Sequence, residues 1–264
     1  MLFRLSGVDP SCGPATNNPN RFTRSGGAWM AVTLALFFIG HSPHAWATVL
    51  SRGDLFFTGI MSDNPDQFSF AMTVDVDAST EVYFTDNGWF AGGGFRSSEN
   101  TVRWNSDAPI TAGTVVSIET GGGATTGSLT GNVPLLSSVG DQLIAYQSPN
   151  QGVDVNVVAA LQNNGAWDEN ATSSNTSAQP FAGFFSLALT PERDNWQYQG
   201  PREFADIASL QAGLLDLSNW TGDNSRLVPD ISKLTVPEPS SGLLLLVASL
   251  LWVVRIGTRC HAQG

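Results

Sequence analysis

The sequence predicts an all-β protein, an antiparallel sandwich with one short helix near the end of its folded part. Three observations predict it. Between residues 54 and 161, short runs alternate apolar and polar residues with period two, the mark of strands with one buried face. The runs follow one another at intervals of roughly 8–15 residues, too close for βαβ units. Only 13 % of the 264 residues are charged, 27 are glycine, and Ser, Thr and Asn are abundant, which suits a secreted β-protein better than a cytosolic helical enzyme.

In chain order, the first predicted strand is 54–60. The second is 67–74, with Phe68, Phe70, Met72 and Val74 on one face. The third, 81–85, ends at Asp86-Asn87-Gly88, a strong turn sequence. Trp89-Phe90 and a run of glycines come next. Further strands are predicted over 101–104, 114–119, 127–131, 141–147 and 154–161, with the glycines at 121–123 ending the fifth. A polar loop follows over 162–180, carrying Trp167, and then an apolar stretch over 181–189 that reads as a late strand. Phe204, Ile207, Leu210, Leu214 and Leu215 recur at helical spacing and predict a helix over 201–217. Asn219-Trp220 closes the domain, and 223–235 reads as a polar linker.

Both ends carry addresses. Arg21 and Arg24 precede an apolar run over 28–40, and Ala45-Trp46-Ala47 follows as an A-x-A cleavage site. This is the layout of a signal peptide, with Thr48 as the expected mature start. At the other end Val236-Pro237-Glu238-Pro239 should be extended, because both prolines fix φ and lack N–H donors. Ser240 or Ser241 can cap a helix over the uncharged run 242–254, and Arg255 and Arg259 follow it. That run is shorter than the ~20 residues of a comfortable bilayer span. It reads as a sorting tail, a plain membrane anchor or a core helix. The chain thus divides into an N-terminal extension and signal helix (1–47), a domain (48–222), a linker (223–235) and a C-terminal apolar tail (236–264).

A Pro-Glu-Pro motif, a short apolar helix and a terminal Arg pair, in that order, resemble the PEP-CTERM sorting signal of Gram-negative bacteria. The resemblance implies an exosortase, a membrane cysteine protease, as a processing partner, with signal peptidase acting at the other end. It also implies Sec export and transient anchoring in the inner membrane through 242–254, followed by release to the cell surface or medium. Such proteins accompany exopolysaccharide, so the expected role is structural or adhesive, in a biofilm matrix. A second resemblance rests on Gly53-Asp54-Leu55-Phe56-Phe57-Thr58-Gly59, Phe84-Thr85-Asp86-Asn87-Gly88-Trp89, Gly140-Asp141-Gln142-Leu143-Ile144-Ala145-Tyr146-Gln147 and Asn219-Trp220. These segments resemble an uncharacterised secreted bacterial β-domain similar to lamin-tail-like, immunoglobulin-like sandwiches. It implies a fold and no reaction.

The chemistry is bounded by what processing would remove. Cys12, His41 and His44 precede residue 48, and Cys260 and His261 follow the motif, so 48–235 contains no His and no Cys. Ser–His–Asp and Cys–His catalysis and Cys/His zinc sites are excluded there. A Ser–Lys dyad would need Lys233, in the linker. Without a disulfide, the core must hold the domain by itself. The same segment has seven basic residues against 21 acids, a net charge of −14, which argues against a nucleic-acid partner.

A non-enzymatic role is therefore expected, with no required cofactor. Asp75 and Asp77 share one strand face and are the candidate Ca²⁺ ligands, in an oxygen-rich setting that suits that ion. Trp89, Phe90 and Trp167 are either a ligand platform for carbohydrate or a lid over the end of the core. A carbohydrate- or calcium-binding module is the second reading and a carboxylate-dependent hydrolase the third.

Overall fold

The computed structural model describes residues 47–148, 155–182 and 185–236. The apolar runs 28–40 and 242–254, Ala45, Pro237, Glu238, Pro239, Arg255 and Arg259 lie outside them. Among the described residues no helix is long and apolar enough to cross a membrane.

The fold is all-β: two six-stranded sheets face each other across an apolar core. The strands are β1 (Leu55–Met61), β2 (Gln67–Met72), β3 (Glu81–Thr85), β4 (Thr101–Asn105), β5 (Val115–Glu119) and β6 (Gly123–Ala124). They continue with β7 (Ser128–Gly131), β8 (Gln142–Gln147), β9 (Asn156–Gln162), β10 (Ser186–Ala188), β11 (Asn195–Tyr198) and β12 (Trp220–Asp223). The first sheet runs β12-β11-β1-β2-β5-β6 and the second β10-β9-β8-β3-β4-β7. Among the described residues one α-helix, α1 (Ile207–Leu215), is present, between β11 and β12.

Aromatic residues join the sheets. Phe57, Phe68 and Phe70 of the first sheet meet Phe84 and Trp104 of the second, with Phe70–Phe84 centroids 4.7 Å apart and Phe70–Trp104 5.4 Å apart. The alternation of β3 and β4 follows from this. Val82 pairs with Trp104 and Phe84 with Val102 on the core side, while Tyr83 opposite Arg103 and Thr85 opposite Thr101 face outward. β1 does not alternate: all seven of its residues are buried. It sits inside its sheet between β11 and β2, and its one polar side chain, Thr58, donates to Ser69 Oγ at 2.8 Å.

Three expectations change. The second sheet is not wholly antiparallel, because β10 runs parallel to β9. The long connection between them gives the chain room to return in the same direction, which a hairpin cannot do. The helix starts at Ile207 rather than at 201. Asp206 caps it, accepting from Ser209 N at 2.7 Å while its own N–H donates to Ser209 Oγ at 3.1 Å. The residues before the cap stay extended because Glu203 bridges to Thr235.

The third change concerns 223–235, which is no free linker. Leu234 is wholly buried, its N–H donates to Gly113 O at 2.8 Å, and Thr235 N donates to Arg202 O at 2.7 Å. Arg202 pairs with Asp230 at 2.5 Å, and Arg226 crosses to the carbonyls of Asp63 and Pro65. Val236 also packs against the main core. A mostly polar segment is held because one leucine and two arginines supply the apolar anchor and the hydrogen bonds.

Candidate functional site

The outward residues of β3, β4, β8 and β9 line a groove of about 890 Å³ on the second sheet. Tyr83 and Tyr146, neighbours in the β3–β8 register, stack with centroids 5.2 Å apart and planes at 18°. The row continues through Phe95, 4.9 Å from Tyr146, to Trp89, 4.8 Å from Phe95 and perpendicular to it. Polar groups border the tyrosines. Arg103 Nη1 donates to Glu81 Oε1 at 3.0 Å, and Thr101, Asn156 and Thr48 complete the walls. Burial, reinforced by Tyr83, holds the Tyr146 phenol above its ordinary pKa, so it stays neutral and able to donate. The groove therefore presents half-buried aromatic rings beside charged and hydroxyl groups.

The adjacent end of the same sheet is built differently. Residues 164–182 fold over its outer face, where Trp167 and Phe181 pack with Ile144, Val157, Ala160, Trp89 and Phe95. Gln142 donates from Nε2 to the carbonyls of Ser174 (2.8 Å) and Asp86. Beside it, aspartates capture three successive backbone N–H groups. Leu135 N donates to Asp86 Oδ2 at 2.9 Å, Leu136 N to Asp66 Oδ2 at 3.0 Å and Ser137 N to Asp141 Oδ2 at 2.8 Å. Asp141 Oδ1 takes Gln142 N at 2.8 Å.

These acids are buried near one another. Asp141 is 1 % exposed and Asp86 2 % exposed. Desolvation, with the charges of Glu99 and Asp86 adding to it, pushes the Asp141 carboxyl up to about 8. Burial raises Asp86 to about 6, and burial with the Asp86 charge raises Glu99 to about 7.

The residues singled out from the sequence are dispersed. Trp89 and Trp167 meet in the cluster over the sheet end and close it rather than standing free. Phe90 is 47 % exposed and lies against the Arg96 guanidinium, 4.7 Å from its ring centroid. Asp75 and Asp77 are both exposed, on either side of the buried Val76. Asp75 Oδ1 accepts from Ala112 N at 2.8 Å and Asp77 Oδ2 from Thr48 Oγ1 at 3.4 Å. Among the described residues no three His, Cys, Asp or Glu side chains are placed together to hold a metal.

Sequence reasoning missed Tyr83, Tyr146 and Arg103. Their signal was present, since each is the outward member of an alternating strand. It also missed Glu99, for which the sequence carries no cue. Comparison with protein families, with curated proteins and with solved structures finds no match to this chain.

Proposed function

We propose that this is an exported, exosortase-processed surface or matrix protein with a non-enzymatic, adhesive role, and that the groove on its second sheet binds exopolysaccharide. The observation that carries glycan binding is the groove itself. A stacked Tyr83–Tyr146 pair lies beside Arg103, Glu81 and Thr101 in a space of about 890 Å³. Sugars offer apolar C–H faces to aromatic rings and hydroxyls to charged and amide groups, and a pocket that mixes the two recognises that chemistry. The absence of His and Cys from 48–235 removes Ser–His–Asp and Cys–His chemistry from that segment. The Val236-Pro237-Glu238-Pro239 tail supports sorting and release.

Two measurements test this reading. The purified chain should bind polysaccharide extracted from the host's own matrix in a sedimentation assay. Tyr83→Ala and Arg103→Gln should each weaken binding about tenfold, the scale of one lost stacking or charge-assisted contact. Binding that is unaffected in both variants sinks the groove assignment. Separately, intact-mass analysis of the native protein should find a species that begins at Thr48 and ends near Pro237–Pro239. Recovery only of chains that retain 242–264 would replace release by permanent anchoring.

A further inference from the structure

We propose that Asp86, Glu99 and Gln142 form a Ca²⁺ site under the 164–182 cover, with Asp86 Oδ1, Glu99 Oε2 and the Gln142 carboxamide oxygen as ligands. The site is separate from the groove and stands whether or not glycan binds there.

Asp141 spends both carboxylate oxygens on Ser137 N and Gln142 N, and Asp66 Oδ2 is held by Leu136 N. Asp86 spends Oδ2 on Leu135 N, and Oδ1 is buried without a well-formed hydrogen bond, the backbone N–H groups of Asp86 and Asn100 acting on the carboxylate only from nearby. Glu99 Oε2 is likewise buried without a well-formed hydrogen bond, although the Ser174 side chain acts on that carboxylate. These two oxygens belong to carboxylates close enough for the Asp86 charge to act on Glu99.

Gln142 supplies an independent observation. It is wholly buried, and the carbonyls of Asp86 and Ser174 both claim its nitrogen. Its carboxamide cannot be turned round, because that would set an oxygen against two carbonyl oxygens. The orientation of the carboxamide is therefore fixed by the Asp86 and Ser174 carbonyls, and Oε1 too has no donor. Directly across in the β8–β9 register, and so on the same face of the sheet, stands Gln162. It is also wholly buried, and neither atom of its carboxamide has a partner.

Buried polar atoms are normally satisfied, and a cluster of unpaired acceptors calls for something positive. Arg96, the cation that acts on Glu99, directs Nη2 to Ala171 O and lies over the Phe90 ring; its buried Nε has no acceptor, and it makes no ion pair with either carboxylate among the described residues. The unpaired ligands are all hard oxygens, from two carboxylates and one amide. Two carboxylates balance a divalent ion. Ca²⁺ accepts mixed carboxylate, amide and water oxygens in loose geometry, whereas Mg²⁺ demands a near-ideal octahedron. The Gln162 carboxamide is placed to offer a further oxygen.

The test is calorimetric titration of the full-length chain with CaCl₂, alongside melting curves in CaCl₂ and in MgCl₂ at matched ionic strength. The expected result is one Ca²⁺ per chain and a melting temperature several degrees higher in Ca²⁺ than in Mg²⁺. Asp86→Asn and Glu99→Gln should each lower affinity at least tenfold, while the double change Asp75→Asn with Asp77→Asn leaves it intact. Absence of binding at millimolar CaCl₂, an equal rise in MgCl₂, or full affinity in both single variants overturns the site. Should Asp86→Asn fold poorly, the half-buried Glu99→Gln decides alone.

Discussion

Raising the pH from 5 to 9 in chelator-containing buffer lowers the melting temperature of this protein by about 10 °C. The cause is the group of carboxyls beneath the 133–137 loop. Asp86, Glu99 and Asp141 have folded-state values of about 6, 7 and 8. An unfolded chain returns them to about 4. Between those limits the folded state binds more protons, so protonation favours folding. That contribution is complete below about pH 4 and is lost as pH rises through 6 to 8. Asp86 and Asp141 are almost wholly enclosed, so water screens them little. Coupling among the three, and screening of the partly exposed Glu99 by water, keep the combined loss on the order of 3–5 kcal/mol, most of it from Asp86 and Asp141, which at about 2–4 °C per kcal/mol for a domain of this size gives the stated shift.

A substitution separates this from general charge repulsion. Asp86→Asn keeps an oxygen for Leu135 N and puts a neutral NH₂ where Oδ1 has no well-formed hydrogen bond. It should raise the melting temperature at pH 9 and flatten the profile. A profile that is flat in the parent protein, or unchanged in Asp86→Asn, refutes the account. Acid should not help without limit. Hydrogen bonds from Ser209 and Ser218 hold the exposed Asp206 and Asp216 below their usual values, so their capping contribution fades once the pH falls beneath the ordinary carboxylate range.

Gly113→Ala should detach the C-terminal segment. Gly113 has φ +80°, and a Cβ there would lie 1.6 Å from the Leu234 carbonyl oxygen. A left-handed conformation costs an L-residue about 1–2 kcal/mol, and the clash with backbone cannot be relieved by a side-chain rotation. The segment must move, losing the Leu234 N to Gly113 O bond and the burial of Leu234. Leucine burial contributes about 1.5–3 kcal/mol, so a total near 3–4 kcal/mol is expected. Amide exchange at Leu234 and Thr235 should accelerate at least about a hundredfold, the equivalent of that loss. Gly92→Ala, where a Cβ meets nothing within 4 Å, is the control and should change stability by less than about 0.5 kcal/mol. Protection at Leu234 that survives Gly113→Ala would show that the segment is held by Arg202 and Arg226 alone.

The legible part of the fold was the part with strict alternation. The strand predicted at 81–85 is β3 to the residue, and those at 67–74, 101–104, 114–119, 127–131 and 141–147 lie within a few residues of the observed elements. β11 escaped because Asn195, Trp196, Gln197 and Tyr198 are all buried. A strand covered on both faces with amides among its residues has no period to read. Gln197 is held by Thr58 O at 3.0 Å, a contact 139 residues away in sequence. β6 was hidden among glycines for a different reason: it is two residues that extend β5 by pairing, and glycine there reads as a break.

The site divides in the same way. Tyr83 and Arg103 could be placed on one outer face by period alone, but that Tyr146 stacks on Tyr83 depends on β3 pairing with β8, and register is not written locally. Asp86, Glu99 and Asp141 come from a turn, a loop and a strand start, and only the closed sandwich brings them together. Leu234 looked incidental in a polar stretch. Its importance lies in the space left for it beside Gly113.

The docking of both edges of the folded region has a consequence for survival outside a cell. Thr48 N donates to Thr80 Oγ1 at 2.9 Å, and at the far end Val236 packs on the core two residues after the buried Leu234. A product trimmed before Thr48 and just after Val236 would have no loose strand at either terminus. Exopeptidases digest from free ends, threading several extended residues into their active sites. Such a product would offer them nothing to grip until the sandwich itself opened, so its lifetime in an enzyme-rich medium would be set by unfolding and not by fraying.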